Sequence, residues 1–320
     1  MSRIGYHVSH EQFPPSELLA LAKLAEEAGF HSAMSSDHLA PWGKRQGHSG
    51  FAWSWLGAAM QATRLPFSVV TTPIGLRYHP LLIAQAAATL AELFPERLTV
   101  ILGTGEALNE RAFGAGWPIK AERTVRLEES VDIIRALWCG ETVTQQGLIA
   151  IEEGQVYSLP EKPPNLFAAA LTPDTARRSA RWADGLATIN QPFEKLKAVV
   201  DAFRSGGGDG KEIHLQVHLS FAATVEDANR NALDQWRTNA LPGLVAPELS
   251  SPAMFDAAVQ HLTLEDLASS VLISADVERH RDWIDAFSTL GIDRILLHNV
   301  GRNQEEFINT FGEKVIPRGN

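Results

Sequence analysis

Residues 67–103 read FSVVTTPIGLRYHPLLIAQAAATLAELFPERLTVILG. The run from Phe67 to Ile74 is short, apolar and β-branched, which suits a strand covered on both faces. Pro80 then opens a helix through Glu92, proline standing in the first turn where its missing N–H has no intrahelical partner to lose. Leu98 to Gly103 is a second apolar strand. Strand, helix and strand in close succession are the pattern of a parallel βαβ unit.

The same rhythm extends in both directions. Upstream, Ile4 to Val8 reads as a strand. Pro14-Pro15-Ser16 opens a helix with Leu18, Leu21, Ala22 and Ala25 on one stripe, and Gly29 ends it. His31 to Ser36 is a strand and Phe51 to Ala62 a helix. Downstream, a helix from about Glu122 puts Leu127, Val131, Ile134 and Trp138 on one face. Strands follow at Leu166–Ala170, Gly185–Ile189, Ile213–Phe221 and Ile295–Val300, with helices at Pro173–Trp182, Phe193–Arg204, Glu226–Thr238, Val277–Leu290 and Gln304–Phe311. Eight strands, each followed by a helix, predict one α/β domain over residues 1–320, a (β/α)8 TIM barrel. Two stretches break the rhythm. Residues 141–158 read as a β-hairpin excursion with Gly147 and Gly154 as turn residues. Residues 240–270, rich in Pro, Leu and Ser, form an insertion placed to act as a lid. The tract from Ser205 to Lys211 lacks the spacing of a phosphate loop and reads as a flexible connection on the stability face.

Composition narrows the function. The 320 residues are 45% hydrophobic and 21% charged with a formal net charge of −10. No cluster of Lys and Arg is present to displace counterions, so nucleic acid is a poor partner. Cys139 is the one cysteine and reads as a small hydrophobe. The eleven histidines show no compact metal spacing, so no metal is implied. No signal peptide and no membrane span is legible, so the expected place is the cytoplasm.

A barrel of this kind builds its site at the C-terminal ends of the strands. The second strand ends in Ser36-Asp37-His38-Leu39-Ala40-Pro41-Trp42. His38 is a candidate base, because imidazole exchanges protons most readily near neutrality. Asp37 would orient it or bond a cofactor, and an Asp–His loop cap is the alternative. The fourth strand ends in Gly103-Thr104-Gly105-Glu106-Ala107-Leu108-Asn109-Glu110. Its glycines allow close approach to a flat ligand, and partial burial would suit Glu106 to acid catalysis. The third strand, turning polar at Thr71-Thr72, would back an aromatic ring. After the fifth strand, Thr172 is a natural N-cap before Pro173. With Thr175 it offers two hydroxyls at a helix start, where phosphates bind, and ordinary capping is the alternative.

These motifs, with Arg77-Tyr78-His79-Pro80, Gln85 to Leu90, Trp117-Pro118 and Glu122-Arg123, resemble the luciferase-like flavin and deazaflavin oxidoreductases. The resemblance is strongest from about residue 15 to 140. It points to the glucose-6-phosphate dehydrogenase branch, which uses the deazaflavin coenzyme F420. It implies that His38 takes a substrate hydroxyl proton, that Glu106 is the partner acid and that Trp42 stabilises the reacting pair. Asp37, Thr104, Gly105 and Asn109 would line the cofactor. A bulge with a non-prolyl cis bond near Val70-Thr71 would back its ring. A homodimer is implied as well.

The chain also departs from that branch. Leu171-Thr172 stands in place of a Gly-Gly that cradles the deazaflavin phosphate tail. Thr172 and Thr175 instead resemble the hydroxyl pair of FMN-using members. Two phosphate-binding lysines are replaced by Asn190-Gln191-Pro192 and Ser269-Ser270, which removes the charge-assisted grip on a sugar phosphate. The expectation is an FMN-dependent oxidoreductase or monooxygenase acting on a small organic substrate, with a flavin reductase as a candidate partner. A deazaflavin-dependent dehydrogenase and a non-catalytic flavin-binding barrel are the alternatives.

Overall fold

The computed structural model describes residues 2–316. The strands are β1 (Arg3–Val8), β2 (Ala33–Ser36), β3 (Phe67–Thr71), β4 (Leu98–Leu102), β5 (Val143–Gln146), β6 (Ala150–Gly154), β7 (Asn165–Ala169), β8 (Gly185–Ile189), β9 (Glu212–Ser220), β10 (Leu272–Ile273) and β11 (Arg294–Asn299). Eight of them form a closed parallel ring in the order β1-β2-β3-β4-β7-β8-β9-β11, with β11 back on β1. This is the (β/α)8 barrel. The short β10 pairs with the C-terminal end of β9. β5 and β6 form the separate antiparallel hairpin, in which Gly154 lies within β6 opposite Val143 instead of in the turn.

Period-two alternation sorts each strand into two faces. Outward side chains such as Ile4, Tyr6, Val8, Val69 and Val100 pack against the helices in the main core. Inward, Met34, Ile101, Phe167, Ala187 and Leu296 fill the waist of the barrel. Two glycines make that filling possible. A Cβ on Gly185 would sit 2.3 Å from the Phe167 ring, and one on Gly5 would sit 2.4 Å from Leu296. Burying Phe167 here stabilises the barrel by several kcal/mol, of the order of 3–5 for the ring and the space it fills.

The helices form where the periodicity places them. Pro15–Glu27 buries Leu18, Leu21, Ala22 and Ala25, and the chain turns out of it at Gly29 with φ of 96°. Pro80–Leu93 is capped by His79, whose ring accepts from the Leu81 N–H. The glycine tract differs from expectation. Helix Phe193–Phe203 runs on into a wide turn over Arg204–Gly208. A Cβ on Gly206 would lie 2.6 Å from the Arg177 carbonyl oxygen, so the tract is a close-packed joint, not a loose loop.

The insertion is largely helical, with Pro252–Val259 and Leu264–Leu267 burying Phe255, Val259 and Leu267. It packs against the loop after β2 and the segment that follows β4. Phe255 meets the Trp42 ring edge-on at 5.2 Å, and Glu248 reaches Trp117 Nε1 at 3.0 Å and Arg123 at 3.4 Å. No described helix is long and apolar enough to cross a membrane.

Candidate active site

Above the packed waist the barrel is open. The inward residues at the strand ends, Ser36, Val70, Ala169, Ile189 and Gln216, are all half-exposed, as is Gly103 just past β4. Phe167 and Leu296 beneath them are buried. One wall of this mouth, on β3, β4, β7 and β8, is apolar or small. The other, on β1, β2, β9 and β11, is polar.

His38 stands on the polar side. Its Nε2 lies 3.6 Å from Glu11 Oε1, and its ring tilts against Trp42 at 4.8 Å. Its Nδ1 is 3.4 Å from the Asn109 amide nitrogen, while Asn109 Oδ1 accepts from the Leu39 N–H at 2.9 Å. Asn109 thus ties the loop after β2 to the loop after β4. The Asn109 N–H donates to the Glu106 carbonyl, so Glu106 sits in the same junction. Its carboxylate caps nothing, and burial raises its pKa, opposed by His38 and reinforced by Glu11. Gly105 makes the turn possible: its φ is 75°, and a Cβ would lie 2.8 Å from Thr72.

Glu11 escaped the sequence reading. It follows β1, 1% exposed, and accepts from Ser9 at 2.9 Å and Ser36 at 2.9 Å. Burial pushes its carboxyl up, but His38, His7, its own backbone N–H and His10 outweigh that and hold it below the ordinary range. The signal was present in His7-Val8-Ser9-His10-Glu11, polar residues at a strand end like those after the second and fourth strands. His7, His218 and His298 form the rest of the polar wall. Burial lowers His7 to about 4 and His218 to about 3, and takes His298 well below its usual value, so all three are neutral near pH 7.

Other expected residues lie elsewhere. Asp37 is turned into the wall. Its Oδ2 accepts from Trp53 Nε1 at 3.1 Å and Thr71 at 2.9 Å, and its Oδ1 from Arg77 at 3.1 Å and Tyr78 at 3.1 Å. Four donors fill a carboxylate's capacity, so Asp37 and Thr71 brace the mouth from behind. Val70, one residue earlier, faces the mouth. No peptide bond among the described residues is cis, and β3 pairs regularly with β4 through Thr71↔Leu102, so the bulge expected there is absent. Thr104 accepts from the Lys120 ammonium. Thr172 and Thr175 are exposed at the rim with their hydroxyls 3.0 Å apart. Glu110 ends the motif that follows strand β4. It accepts from the Arg77 N–H at 2.8 Å, and burial raises it to about 7.

The other ionic groups around the mouth are engaged. Arg77 pairs with Asp37 and Arg123 with Glu248. The two positions where phosphate-binding lysines were looked for meet as neutral groups: Asn190 Nδ2 donates to the Ser270 carbonyl at 3.1 Å. Among the described residues, no group of three or more His, Cys, Asp or Glu side chains could hold a metal ion.

The luciferase-like monooxygenase family model matches residues 1–294, well beyond the segment where the motifs are densest. An F420-dependent glucose-6-phosphate dehydrogenase of Microbacterium testaceum is 36% identical over 99% of this chain and 97% of its own length. Another, from Nakamurella multipartita, is 36% identical over 99% and 96%. Among solved structures, an F420-dependent secondary alcohol dehydrogenase in complex with an F420–acetone adduct superposes with a TM-score of 0.92, at 27% identity over 98% of both chains. The barrel, the rim motifs and this end-to-end likeness agree: the chain belongs to the luciferase-like monooxygenase family and is an oxidoreductase.

Proposed function

We propose that the protein is a deazaflavin-dependent dehydrogenase of uncharged alcohols. A deazaflavin held against Val70, Gly103 and Ala169 would supply the hydride acceptor for the carbon that bears the hydroxyl. His38 takes the hydroxyl proton, and the Glu11 carboxylate 3.6 Å from its Nε2 stabilises the imidazolium that results. Trp42 holds the imidazole from one side and Asn109 from another. Glu106, in the same junction as His38, has its pKa raised by burial, which suits it to the role of partner acid. The small apolar wall of Val70, Gly103 and Ala169 suits a planar ring laid against it.

The expectation of FMN and of monooxygenation gives way here. Relatives that match end to end at 36% identity are named for coenzyme F420, as is the secondary alcohol dehydrogenase that superposes with a TM-score of 0.92. The observation that carries the substrate class is the neutral contact between Asn190 and Ser270, together with cations already engaged by Asp37 and Glu248. A phosphate dianion would meet Arg77 and Arg123 already paired and Lys120 bonded to Thr104, and would lie near Glu11 and Glu106, which opposes binding. This supports a substrate class different from that of the glucose-6-phosphate relatives.

One observation favours FMN as a second reading: the Thr172 and Thr175 hydroxyls at the rim. Fluorescence titration with each cofactor separates the two. Deazaflavin is expected to bind at least about tenfold more tightly, a difference near 1.4 kcal/mol. Tighter FMN binding would overturn the proposal. Turnover of a neutral secondary alcohol, with none of glucose 6-phosphate, is the expected substrate result.

A further inference from the structure

The two groups that flank His38 ride on different segments, Glu11 on the loop after β1 and Trp42 on the loop after β2. Each loop carries a buried glutamine, and both glutamines run to the same residue. Gln46 Oε1 accepts from the Trp42 N–H at 2.8 Å, and its Nε2 donates to the Gln235 carbonyl at 2.9 Å. Gln12, next to Glu11, donates from Nε2 to Gln235 Oε1 at 3.2 Å and to the Val300 carbonyl at 2.8 Å. Its Oε1 faces His298 Nε2 at 3.0 Å, so this chain of amides continues into the imidazole wall. Gln235 Nε2 completes its own set on Asp234 at 2.7 Å. Gln12, Gln46 and Gln235 are each 6% exposed or less.

Buried amides with every partner in place resist displacement, because moving one strands a donor or acceptor away from water. We propose that Gln235, the last residue of helix Val225–Gln235, is a positioning residue that sets Glu11 and Trp42 relative to each other around His38. It touches neither substrate nor cofactor. Its carbonyl holds the Trp42 loop through Gln46, and its side chain holds the Glu11 loop through Gln12. The inference rests on reading His38 as the proton acceptor, and it adds the device that keeps that acceptor's two partners in register.

The test uses the full chain labelled with fluorinated tryptophan, the Trp42 resonance being assigned by Trp42→Phe. Gln235→Leu removes the side-chain bonds, and Gln235→Asn, milder, shortens the amide beyond reach of Gln12. In the protein without cofactor, both release the Gln12 arm while the Gln235 carbonyl still holds Gln46, and the displaced Glu11–His38 pair, packed against Trp42, is expected to shift or split the Trp42 fluorine resonance. In turnover, both are expected to lower kcat about tenfold with KM and cofactor Kd within about twofold, as misplacement of a reacting group does. Gln304→Leu is the control. It removes a buried glutamine bonded to Tyr6, Asn299 and Gly301, outside this chain of amides. It should lower the thermal midpoint and leave the Trp42 resonance and kcat in place. If the Gln235 variants behave like Gln304→Leu, the proposal is overturned. If the wild type neither binds nor uses deazaflavin, the functional reading fails while the fluorine spectra still decide the role of Gln235.

Discussion

At the N-terminal end of the barrel, Glu212 faces His214 Nε2 at 3.1 Å and accepts from Arg294 Nε at 2.8 Å, beside a cavity of about 190 Å³. At the C-terminal end, Glu106 caps nothing, and Glu11 meets its nearest cation-forming group, His38, only at 3.6 Å. Both ends combine carboxylates with histidine. At the lower end the bond from His214, helped by Arg294 and opposed by burial, pushes Glu212 down to about 2. At the upper end burial raises Glu106. A carboxylate with its donors in place stays ionised and holds strands together. One buried with donors missing is pushed towards its protonated form. The packed waist of Phe167, Met34 and Leu296 separates the two environments.

The largest expected effect is at the upper end. His38→Ala should lower kcat about a thousandfold, within the range for loss of a general base, while the cofactor Kd changes little. Steady-state kinetics beside fluorescence titration checks this. A loss below about tenfold would place the base elsewhere. Phe167→Ala attacks the partition itself and should cost about 3–5 kcal/mol in denaturant unfolding.

Glu110 sharpens the contrast through pH. Its folded pKa, raised to about 7, means that its contribution to stability is present below its ordinary range and lost as pH rises through about 7. Glu110→Gln should therefore gain on the wild type between about pH 5 and 8, by on the order of 2–3 kcal/mol. Thermal unfolding across that range reads it, and a constant difference would place the titration elsewhere.

The smallest effect belongs to the lower end. Glu212→Gln should cost about 1 kcal/mol near neutrality and leave kcat unchanged, since the pair is partly exposed. The sign is opposite to that of Glu110. The folded pKa is depressed, so the wild-type advantage exists above the ordinary carboxyl range and fades as pH falls towards about 2.

Much of this division was legible in the sequence. The eight-unit alternation specifies the barrel, and the polar strand ends after β2 and β4 single out His38, Trp42, Glu106 and Asn109 as candidates, which the structure brings to one end of it. Glu11 was missed because the end of the first strand was passed over, although its Ser-His-Glu run carried the same signal. Asp37 and Thr71 were assigned to the cofactor although alternation turns both away from the lumen, given that Ser36 and Val70 face it. The packing of the glycine tract and the convergence of Gln12 and Gln46 on Gln235 join residues far apart in the chain, and no local pattern announces such meetings. The expectation of FMN rests on Leu171-Thr172 and the Thr172 and Thr175 hydroxyls, and similarity over the whole chain outweighs one rim segment.

The most direct measurement is a single anaerobic turnover of a secondary alcohol deuterated at the carbinol carbon, with enzyme and oxidised deazaflavin. The wild type is expected to move deuterium onto the cofactor with a primary isotope effect, and His38→Ala to lose that transfer while still binding cofactor. Deuterium that stays on the alcohol with deazaflavin but moves to FMN, or transfer that survives the loss of His38 at full rate, would contradict it.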